Sequence, residues 1–280
     1  MMYDLVLITT FQNFDNIGQL LASLEWNKNV KIFCILVNQS LNNYDYDGCN
    51  AVQLFSEKTS LSHARNIGLQ YLEEKNTDYQ HIMFPDDDAF FDKSFFENYK
   101  NTAQINKNYL INVMSLNRKE WMYGLKKIKN SVVKKSNFDA AISFNMLISR
   151  ATMNKVGVFD EYLGLGTENF AGEDTDFFLQ IYEQNDYFET ATALTIIHPS
   201  NKDKIKNFTV KTLKNKAKKY SKGLIFVLKK HEISTFYVCF KAFAGLFYHL
   251  LQLNFKTSLM YFYFFIFRVR YAATSLSCCR

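Results

Sequence analysis

Short apolar runs that alternate with amphipathic segments dominate the first hundred residues of this chain. Such runs lie at residues 5–8, 32–37 and 82–84, and residues 51–55 predict a further short strand. Continuous apolar strands are typical of a parallel sheet, because helices cover both of its faces. Residues 14–26 and 61–75 carry apolar side chains at helical spacing between these runs. The order strand, helix, strand, strand, helix, strand predicts an α/β fold with a mostly parallel sheet flanked by helices.

An acidic triplet, Asp86-Asp87-Asp88, follows the apolar run at residues 82–84 and the proline that ends it. Unpaired neighbouring carboxylates are costly to desolvate, and a bound cation removes that cost. Alternate residues of an extended segment point the same way, so Asp86 and Asp88 can share a divalent ion such as Mg²⁺, Ca²⁺ or Mn²⁺. The triplet lies at the carboxyl end of a strand, where open α/β sheets bind ligands. A solvated acidic turn that caps the next helix is the alternative.

A second acidic cluster follows a glycine-rich segment at residues 164–172. Glu173, Asp174 and Asp176 fall in the first turn of a predicted helix. Acids at a helix start complement the helix dipole by about 0.3–1 kcal/mol each, which accounts for one or two of them. The glycine-rich approach and the presence of two such clusters indicate a chemical role, with a carboxylate as general base.

Two single residues extend the list of candidates. Arg65 lies in the first turns of the helix predicted at residues 61–75, where free N–H groups and the dipole favour phosphate. A surface ion pair is the alternative interpretation of Arg65. His198 ends a strand predicted at residues 191–197 and is a candidate metal ligand, although a lone histidine is more often structural.

Charge divides the chain into two regions. Residues 201–280 hold 16 Lys and Arg and 2 acids, a net charge of +14, whereas residues 1–200 have a net charge of −8 within a total of +6. We expect a catalytic domain over residues 1–200 and a basic, aromatic helical region over residues 201–280. The longest uncharged run of that region, residues 242–255, is shorter than the roughly 18 residues of a spanning helix.

Basic residues beside aromatic helices favour an anionic membrane surface as a partner, and a helical subdomain packed on the sheet is the alternative. The five cysteines contain no CxxC pair, which fits a reducing cytoplasm, and no amino-terminal signal peptide is predicted. The expected location is therefore cytoplasmic and peripheral, on the inner face of the cell membrane. Nucleic acid is not an expected partner.

Over about residues 2–200 the sequence resembles glycosyltransferase family 2, the inverting nucleotide-sugar enzymes with a GT-A fold. The motifs that carry the resemblance are the strand end Ile8-Thr9-Thr10-Phe11, then Ala64-Arg65-Asn66-x-Gly68, Phe84-Pro85-Asp86-Asp87-Asp88, Asn145-Met146-Leu147-Ile148, Gly157-Val158-Phe159-Asp160-Glu161 and Gly172-Glu173-Asp174-Thr175-Asp176-Phe177. Each motif is short, and their order and spacing together make the resemblance specific.

The resemblance implies a set of site residues. It makes Asp86 and Asp88 ligands of Mn²⁺ or Mg²⁺ on the diphosphate, and Asp174 the catalytic base with Glu173 beside it. A related galactosyltransferase family has a metal-binding histidine after the acidic helix, which favours His198 as a third ligand. The residues implied in nucleotide-sugar binding are Thr9, Phe11, Asn38, Arg65, Asp86 and Asp87. One departure is Asn38-Gln39-Ser40 at the end of the second strand, where the family usually has aspartates that contact the base; an amide changes the donor pattern.

The implied activity is metal-dependent transfer of a sugar from a UDP-linked donor to a hydroxyl of a saccharide or lipid-linked glycan, in surface polysaccharide synthesis. Asp174 would take the proton of the acceptor hydroxyl, and the metal and Arg65 would stabilise the leaving diphosphate. A loop within residues 117–137 would exclude water. Two other classes stay open: a nucleotidyl or phosphoryl transferase with two metal ions, and a catalytically silent, membrane-bound carbohydrate-binding protein.

Overall fold

A computed structural model describes residues 2–40, 42, 50–117, 120–122, 132–200, 205 and 207–274. By its internal contacts the chain forms two units. The first unit comprises Met1–Phe159 and Phe177–Pro199, and the second comprises Asp160–Asp176 and Ser200–Arg280. The second unit therefore includes a glycine-rich and acidic segment that the sequence analysis assigned to the catalytic domain. The loop predicted within residues 117–137 falls largely outside the described residues.

The first unit is built on one sheet. Its strands are β1 (Met2–Phe11), β2 (Ile32–Asn38), β3 (Ala51–Phe55), β4 (Asp78–Met83), β5 (Phe90–Phe91), β6 (Asn108–Ser115), β7 (Trp121–Met122), β8 (Met146–Ser149) and β9 (Phe188–His198). The strand order is β3-β2-β1-β4-β8-β6-β9-β5, and β7 pairs with β6. Strands β1 to β4 are parallel, as are β6 and β9, and β8 is antiparallel to both β4 and β6. Most paired residues lie in parallel ladders, which confirms the α/β fold predicted from the apolar runs.

Helices cover this sheet, and side-chain caps fix where several of them begin. They are α1 (Phe14–Leu24), α2 (Leu61–Glu74), α3 (Phe95–Thr102) and α4 (Arg150–Val156); α5 (Glu173–Glu183) has its first turn in the second unit and the rest in the first. Asn13, Ser60 and Ser149 accept hydrogen bonds from the first turns of α1, α2 and α4. Such caps satisfy N–H groups that have no partner inside the helix.

One predicted strand is shorter than the sequence suggested. The largely apolar stretch at residues 140–148 predicts one continuous strand, but the chain forms 3₁₀ turns at Lys135–Ala140 and Ser143–Asn145, and only Met146–Ser149 is a strand. The side chain of Asn145 accepts a hydrogen bond from the Ile142 N–H (2.8 Å) and donates one to the Ala140 carbonyl (2.9 Å). Local side-chain bonds of this kind compete with a strand ladder.

The second unit is helical, as the fold prediction expected of the basic and aromatic region. It contains α6 (Val210–Lys230), α7 (Phe236–Leu251) and α8 (Phe255–Ala272). Helices α7 and α8 form an antiparallel hairpin, in which the Ser258 hydroxyl donates to the Leu246 carbonyl (3.0 Å) and Arg268 donates to the Val238 carbonyl (2.8 Å). Across the residues that the structure describes, we find no helix with the length and apolar character needed to span a bilayer.

Candidate active site

The first unit brings together three potential metal ligands from distant parts of the chain. Asp86 and Asp88 follow β4, and His198 is the last residue of β9. The Nε2 atom of His198 lies 3.0 Å from Oδ1 of Asp88 and 3.7 Å from Oδ2 of Asp86. One ligand atom from each of the three residues lies within 4.8 Å of the others. The predicted cluster therefore exists in the fold, and it includes the histidine.

Local folding explains how the triplet reaches His198. After Asp88 the chain turns into β5, where the Ala89 N–H donates to the Asp86 carbonyl (3.1 Å). Strand β5 then pairs antiparallel with β9, with Phe90 opposite Ile197. This pairing carries the segment just before β5 to the end of β9, where His198 lies.

The chemistry of these side chains fits a divalent cation. The His198 ring stacks on Phe144, with 4.5 Å between ring centroids, and its buried Nδ1 has no hydrogen-bond partner among the residues that the structure describes. This stacking holds the ring with Nε2 toward the two carboxylates. Carboxylate oxygens suit Mg²⁺ and Mn²⁺, and an imidazole nitrogen in the set favours a transition metal.

Arg65 lies beside this cluster and is not a surface residue. It projects from the start of α2, is 2% exposed, and its guanidinium lies over the Phe159 ring at 5.3 Å from the centroid. Nη2 donates to the Ser143 hydroxyl (2.6 Å) and lies 3.3 Å from Oδ1 of Asp86. A buried guanidinium held by three partners places a fixed positive charge next to a candidate metal ligand. Ser143, which orients it, was not predicted, since it comes from a 3₁₀ turn 78 residues away.

Three of the predicted nucleotide-binding residues, Thr9, Phe11 and Asn38, lie at the carboxyl ends of β1 and β2. Thr9 is buried, and its hydroxyl has no hydrogen-bond partner within the described part of the chain. Phe11 is the last residue of β1 and pairs in register with Asn38, the last residue of β2. The Asn38 amide is already engaged, because Nδ2 donates to the Asn42 carbonyl (2.7 Å) and Oδ1 accepts from the Ser40 N–H (2.8 Å). Asn38 thus holds the start of the loop after β2.

Gln39 is a polar residue at this edge that was not among the predicted site residues. Its Oε1 accepts from Gln12 (3.3 Å), whereas its buried Nε2 has no hydrogen-bond partner among the described residues. The signal in the sequence was its position, one residue beyond the end of a buried strand. The Asp87 carboxylate accepts from the Asn16 amide on α1 (3.3 Å), so the middle residue of the triplet points away from the metal cluster.

The acids at the start of α5 differ in their surroundings within the second unit. Asp176 is 1% exposed and accepts from Nε2 of His231 (2.7 Å) and from Nζ of Lys230 (2.9 Å). Burial alone raises the pKa of Asp176, but the hydrogen bonds from His231 and Lys230 outweigh it and lower the pKa below its ordinary value. Glu173 is buried, and Asp174 is only half-buried. Asp174 is therefore the most accessible carboxylate of the three.

Comparisons of sequence find no relative, whereas comparisons of structure do. Neither a family model nor a curated protein matches the chain. S. aureus TarS matches with a TM-score of 0.53 and 16% identity, over 76% of this chain and 39% of that one. S. aureus TarS 1–349 in complex with UDP-GlcNAc matches with a TM-score of 0.55 and 12% identity, over 91% and 89% of the two chains. GalNAc-T7 with UDP, GalNAc and Mn²⁺ matches with a TM-score of 0.52 and 12% identity, over 86% and 51%.

The chain has a GT-A fold. At identities of 12–16% the likeness concerns the fold, which is the fold that the sequence motifs implied. Membership of family 2 in particular stays a prediction. The chain spans about two fifths of the TarS chain and half of the GalNAc-T7 chain, so what those proteins do as wholes enters only as a proposal.

Proposed function

We propose that this protein is a metal-dependent glycosyltransferase that moves a sugar from a UDP-linked donor to a hydroxyl acceptor. The observation that carries the proposal is the convergence of Asp86, Asp88 and His198, with Arg65 beside them, in a GT-A fold. It gains support from the fold neighbours, since TarS 1–349 was solved with UDP-GlcNAc and GalNAc-T7 with UDP and Mn²⁺.

The candidate site residues of the first unit have distinct proposed roles. Asp86, Asp88 and His198 hold Mn²⁺ or Mg²⁺, which when bound neutralises charge on the donor diphosphate. Arg65, fixed by Ser143, stabilises the negative charge that develops on the leaving diphosphate. A guanidinium that is already oriented at the time of reaction loses no energy to reorganisation. A buried arginine therefore suits this task better than a mobile one.

The nucleotide itself is proposed to bind at the carboxyl ends of β1 and β2. Thr9 and Gln39 carry buried polar atoms that need partners, and a nucleoside can supply them. Phe11 and Asp87 contribute contacts as the family resemblance implies. Asn38 acts by shaping the loop after β2, through its hydrogen bonds with Asn42 and Ser40.

Asp174 is the proposed general base. It takes the proton of the acceptor hydroxyl, whose oxygen attacks the anomeric carbon opposite the leaving diphosphate, so the single displacement inverts the anomeric configuration. The choice of Asp174 over its neighbours rests on the family motif and on accessibility, because Asp176 is occupied by His231 and Lys230 and Glu173 is buried. The proposed acceptor is a saccharide or lipid-linked glycan of surface polysaccharide synthesis.

The second unit is proposed to bind an anionic membrane from the cytoplasmic side. Large apolar side chains are exposed along the α7–α8 hairpin, namely Phe236, Phe240, Tyr248, Leu251, Leu253 and Phe255. Residues 201–280, which include the hairpin, carry a net charge of +14. Exposed aromatic residues and positive charge in one region fit a lipid interface with anionic headgroups, where each basic residue near the surface contributes about 1 kcal/mol.

A donor panel tests the proposed reaction. Purified protein is incubated with nucleotide sugars and Mn²⁺, and release of nucleoside diphosphate is measured separately from release of pyrophosphate. A glycosyltransferase releases UDP, whereas a nucleotidyltransferase releases pyrophosphate and a silent binding protein releases neither. We expect UDP release that stops in excess chelator and returns with Mn²⁺.

The matched variants are Asp88→Asn and Asp92→Asn. Both make the same change within four residues of each other, but Asp92 caps the segment before α3 through Ser94 and does not belong to the metal cluster. We expect Asp88→Asn to abolish Mn²⁺-supported UDP binding and Asp92→Asn to retain it. Undiminished turnover in excess chelator, or equal binding by both variants, contradicts the metal site.

A further inference from the structure

One face of α6 packs against the segment of residues 160–176, which carries the acids of the second unit. A Cβ atom added at Gly223 would overlap the Ala171 carbonyl oxygen, and one added at Gly172 would lie 2.9 Å from a methyl carbon of Val227. Gly172 also has a φ of +107°, which side chains disfavour. The backbone of residues 171–172 therefore lies directly against α6, at a distance that only glycine permits.

A second attachment lies on the other side of the proposed base. His231, the residue that ends α6, donates from Nε2 to Oδ1 of Asp176 (2.7 Å), and both side chains are almost fully buried. Lys230 lies 2.9 Å from Asp176 and 2.8 Å from Asp160, so it links the two ends of the segment 160–176. The proposed reaction uses none of these four groups.

The contact at residues 171–172 and the ion pairs of Asp176 both involve the same face of α6. They lie on either side of Glu173 and Asp174 in the sequence. Gly223, Val227 and Lys230 are spaced by four and three residues, which places them on the same side of α6. Glu173 and Asp174 lie between the backbone contact at residues 171–172 and the ion pair of Asp176. Contacts with α6 on both sides of Glu173 and Asp174 restrict the movement of this backbone segment.

We propose that Gly223, Lys230 and His231 are positioning residues that hold Asp174 in the orientation required for proton transfer. This inference rests on the proposed function, in which Asp174 is the base. Proton transfer and attack depend steeply on geometry, and a misplacement of about 1 Å can lower the rate by about 10²-fold. The carboxyl-terminal region would then position the proposed base, in addition to its proposed role in membrane binding.

The test compares full-length His231→Leu, His231→Gln and Gly223→Ala with a matched glycine control, Gly245→Ala. A Cβ atom at Gly245 would overlap the Tyr261 ring, so the control strains the same unit away from the acidic segment. For the UDP-sugar that the donor panel selects, we expect kcat to fall about 10²-fold in His231→Leu and Gly223→Ala, with KM and the affinity for UDP with Mn²⁺ unchanged. His231→Gln, which keeps an N–H donor for Asp176, should recover most of the loss. Amide exchange of residues 171–176 should accelerate only in the two impaired variants.

Each other outcome overturns the inference. A normal kcat in both variants, unchanged amide exchange, a rise in KM alone, or an equal loss in Gly245→Ala would each show that α6 does not position the base. Asp174→Asn separates this failure from failure of the proposed function. If that variant is impaired while the α6 variants are normal, only the positioning role is wrong. If Asp174→Asn is itself normal, the base is misassigned and the positioning role falls with it.

Discussion

At the residue scale, burial separates the candidates for the catalytic base. Asp174→Asn keeps the shape of the side chain and removes its proton affinity, so we expect kcat to fall by about 10²–10⁴-fold. The affinity for UDP with Mn²⁺ should not change, because the metal cluster belongs to the first unit. Steady-state kinetics and calorimetry measure the two quantities. Near-normal turnover in Asp174→Asn, with a severe loss in Glu173→Gln, would move the role to Glu173.

His81 gives the fold a predictable sensitivity to acid. Its ring lies 2.8 Å from the Tyr99 hydroxyl and 3.1 Å from the Lys107 carbonyl, and burial lowers its pKa from 6.5 to about 4. Between these two pH values the unfolded chain binds a proton that the folded chain does not, so stability falls as the pH drops from 6.5 toward 4. The pKa shift corresponds to a loss of roughly 3 kcal/mol in the free energy of unfolding once the pH has fallen to about 4. Melting temperatures of wild type and His81→Gln across this range check it, and an equal slope in both proteins would contradict the assignment.

Contacts between residues that are close in the sequence could be predicted, whereas contacts between distant parts of the chain could not be predicted from local pattern alone. Asp86, Asp87 and Asp88 are adjacent in the sequence, so their mutual repulsion was visible without a structure. His198 required the family resemblance as well, since its ring meets the carboxylates through the pairing of β5 with β9. The link from Asp176 to His231 spans 55 residues, and neither residue carries a local signal for it.

At the scale of elements, α2 needs a glycine to approach the sheet. A Cβ atom at Gly68 would lie 2.5 Å from Cγ2 of Ile8, a fully buried residue of β1 that has no room to move. Gly18 in α1 has nothing within 4 Å of the same added atom. We expect Gly68→Ala to cost about 1–3 kcal/mol through overpacking and Gly18→Ala to stabilise by about 0.5–1 kcal/mol through helix propensity.

Thermal unfolding of the two glycine variants measures these opposite effects. Because α2 also carries Arg65, Gly68→Ala should weaken binding of UDP with Mn²⁺, whereas Gly18→Ala should not. A melting temperature that rises in both variants would mean that helix propensity, and not packing, decides. Loss of stability without loss of UDP binding would mean that the position of α2 is not set by this contact.

The sequence predicted elements well where one rule dominates. The sequence predicts a strand at residues 51–55 and a short helix at residues 150–156, and β3 and α4 have these bounds because no local side-chain bond competes with them. The strand predicted at residues 140–148 shortened because Asn145 bonds to its own neighbours. Nothing in the pattern of residues 160–176 indicated that they associate with α6, since close backbone contact at Gly172 and Gly223 depends on tertiary packing.

At the scale of the whole molecule, an unusual helix end supports the membrane proposal. Within the part of the chain that the structure describes, four helices are followed closely by a non-glycine residue with a positive φ, namely Asn76, Asn185, Glu232 and Leu253. At the last of these, the Leu253 N–H donates to the Leu250 carbonyl (3.0 Å) and the Asn254 N–H donates to the His249 carbonyl (2.9 Å). Glycine or asparagine is the ordinary residue at this position. A leucine there, 75% exposed at the turn of the hairpin, is unfavourable for both backbone and solvation, so local stability does not account for it.

Leu253→Asn should therefore weaken membrane binding without lowering stability. Asparagine tolerates a positive φ better than leucine does, so we expect the melting temperature to stay equal or to rise. Flotation with anionic and neutral vesicles across a salt series measures binding. Wild type should float with anionic vesicles, less so at high salt as basic residues are screened, and the variant should float less at every salt concentration because the hairpin turn loses its apolar side chain.

Leu165→Asn is the matched control for this experiment, since Leu165 is an exposed leucine of the same unit outside the hairpin. It should leave flotation unchanged, which distinguishes insertion of the turn from a general loss of surface hydrophobicity. If wild type does not float with anionic vesicles at low salt, the exposed hairpin is not a membrane surface, and the lipid-linked acceptor loses its main support. If Leu253→Asn floats as well as wild type, the basic residues alone bind the membrane, and the strained leucine has another role.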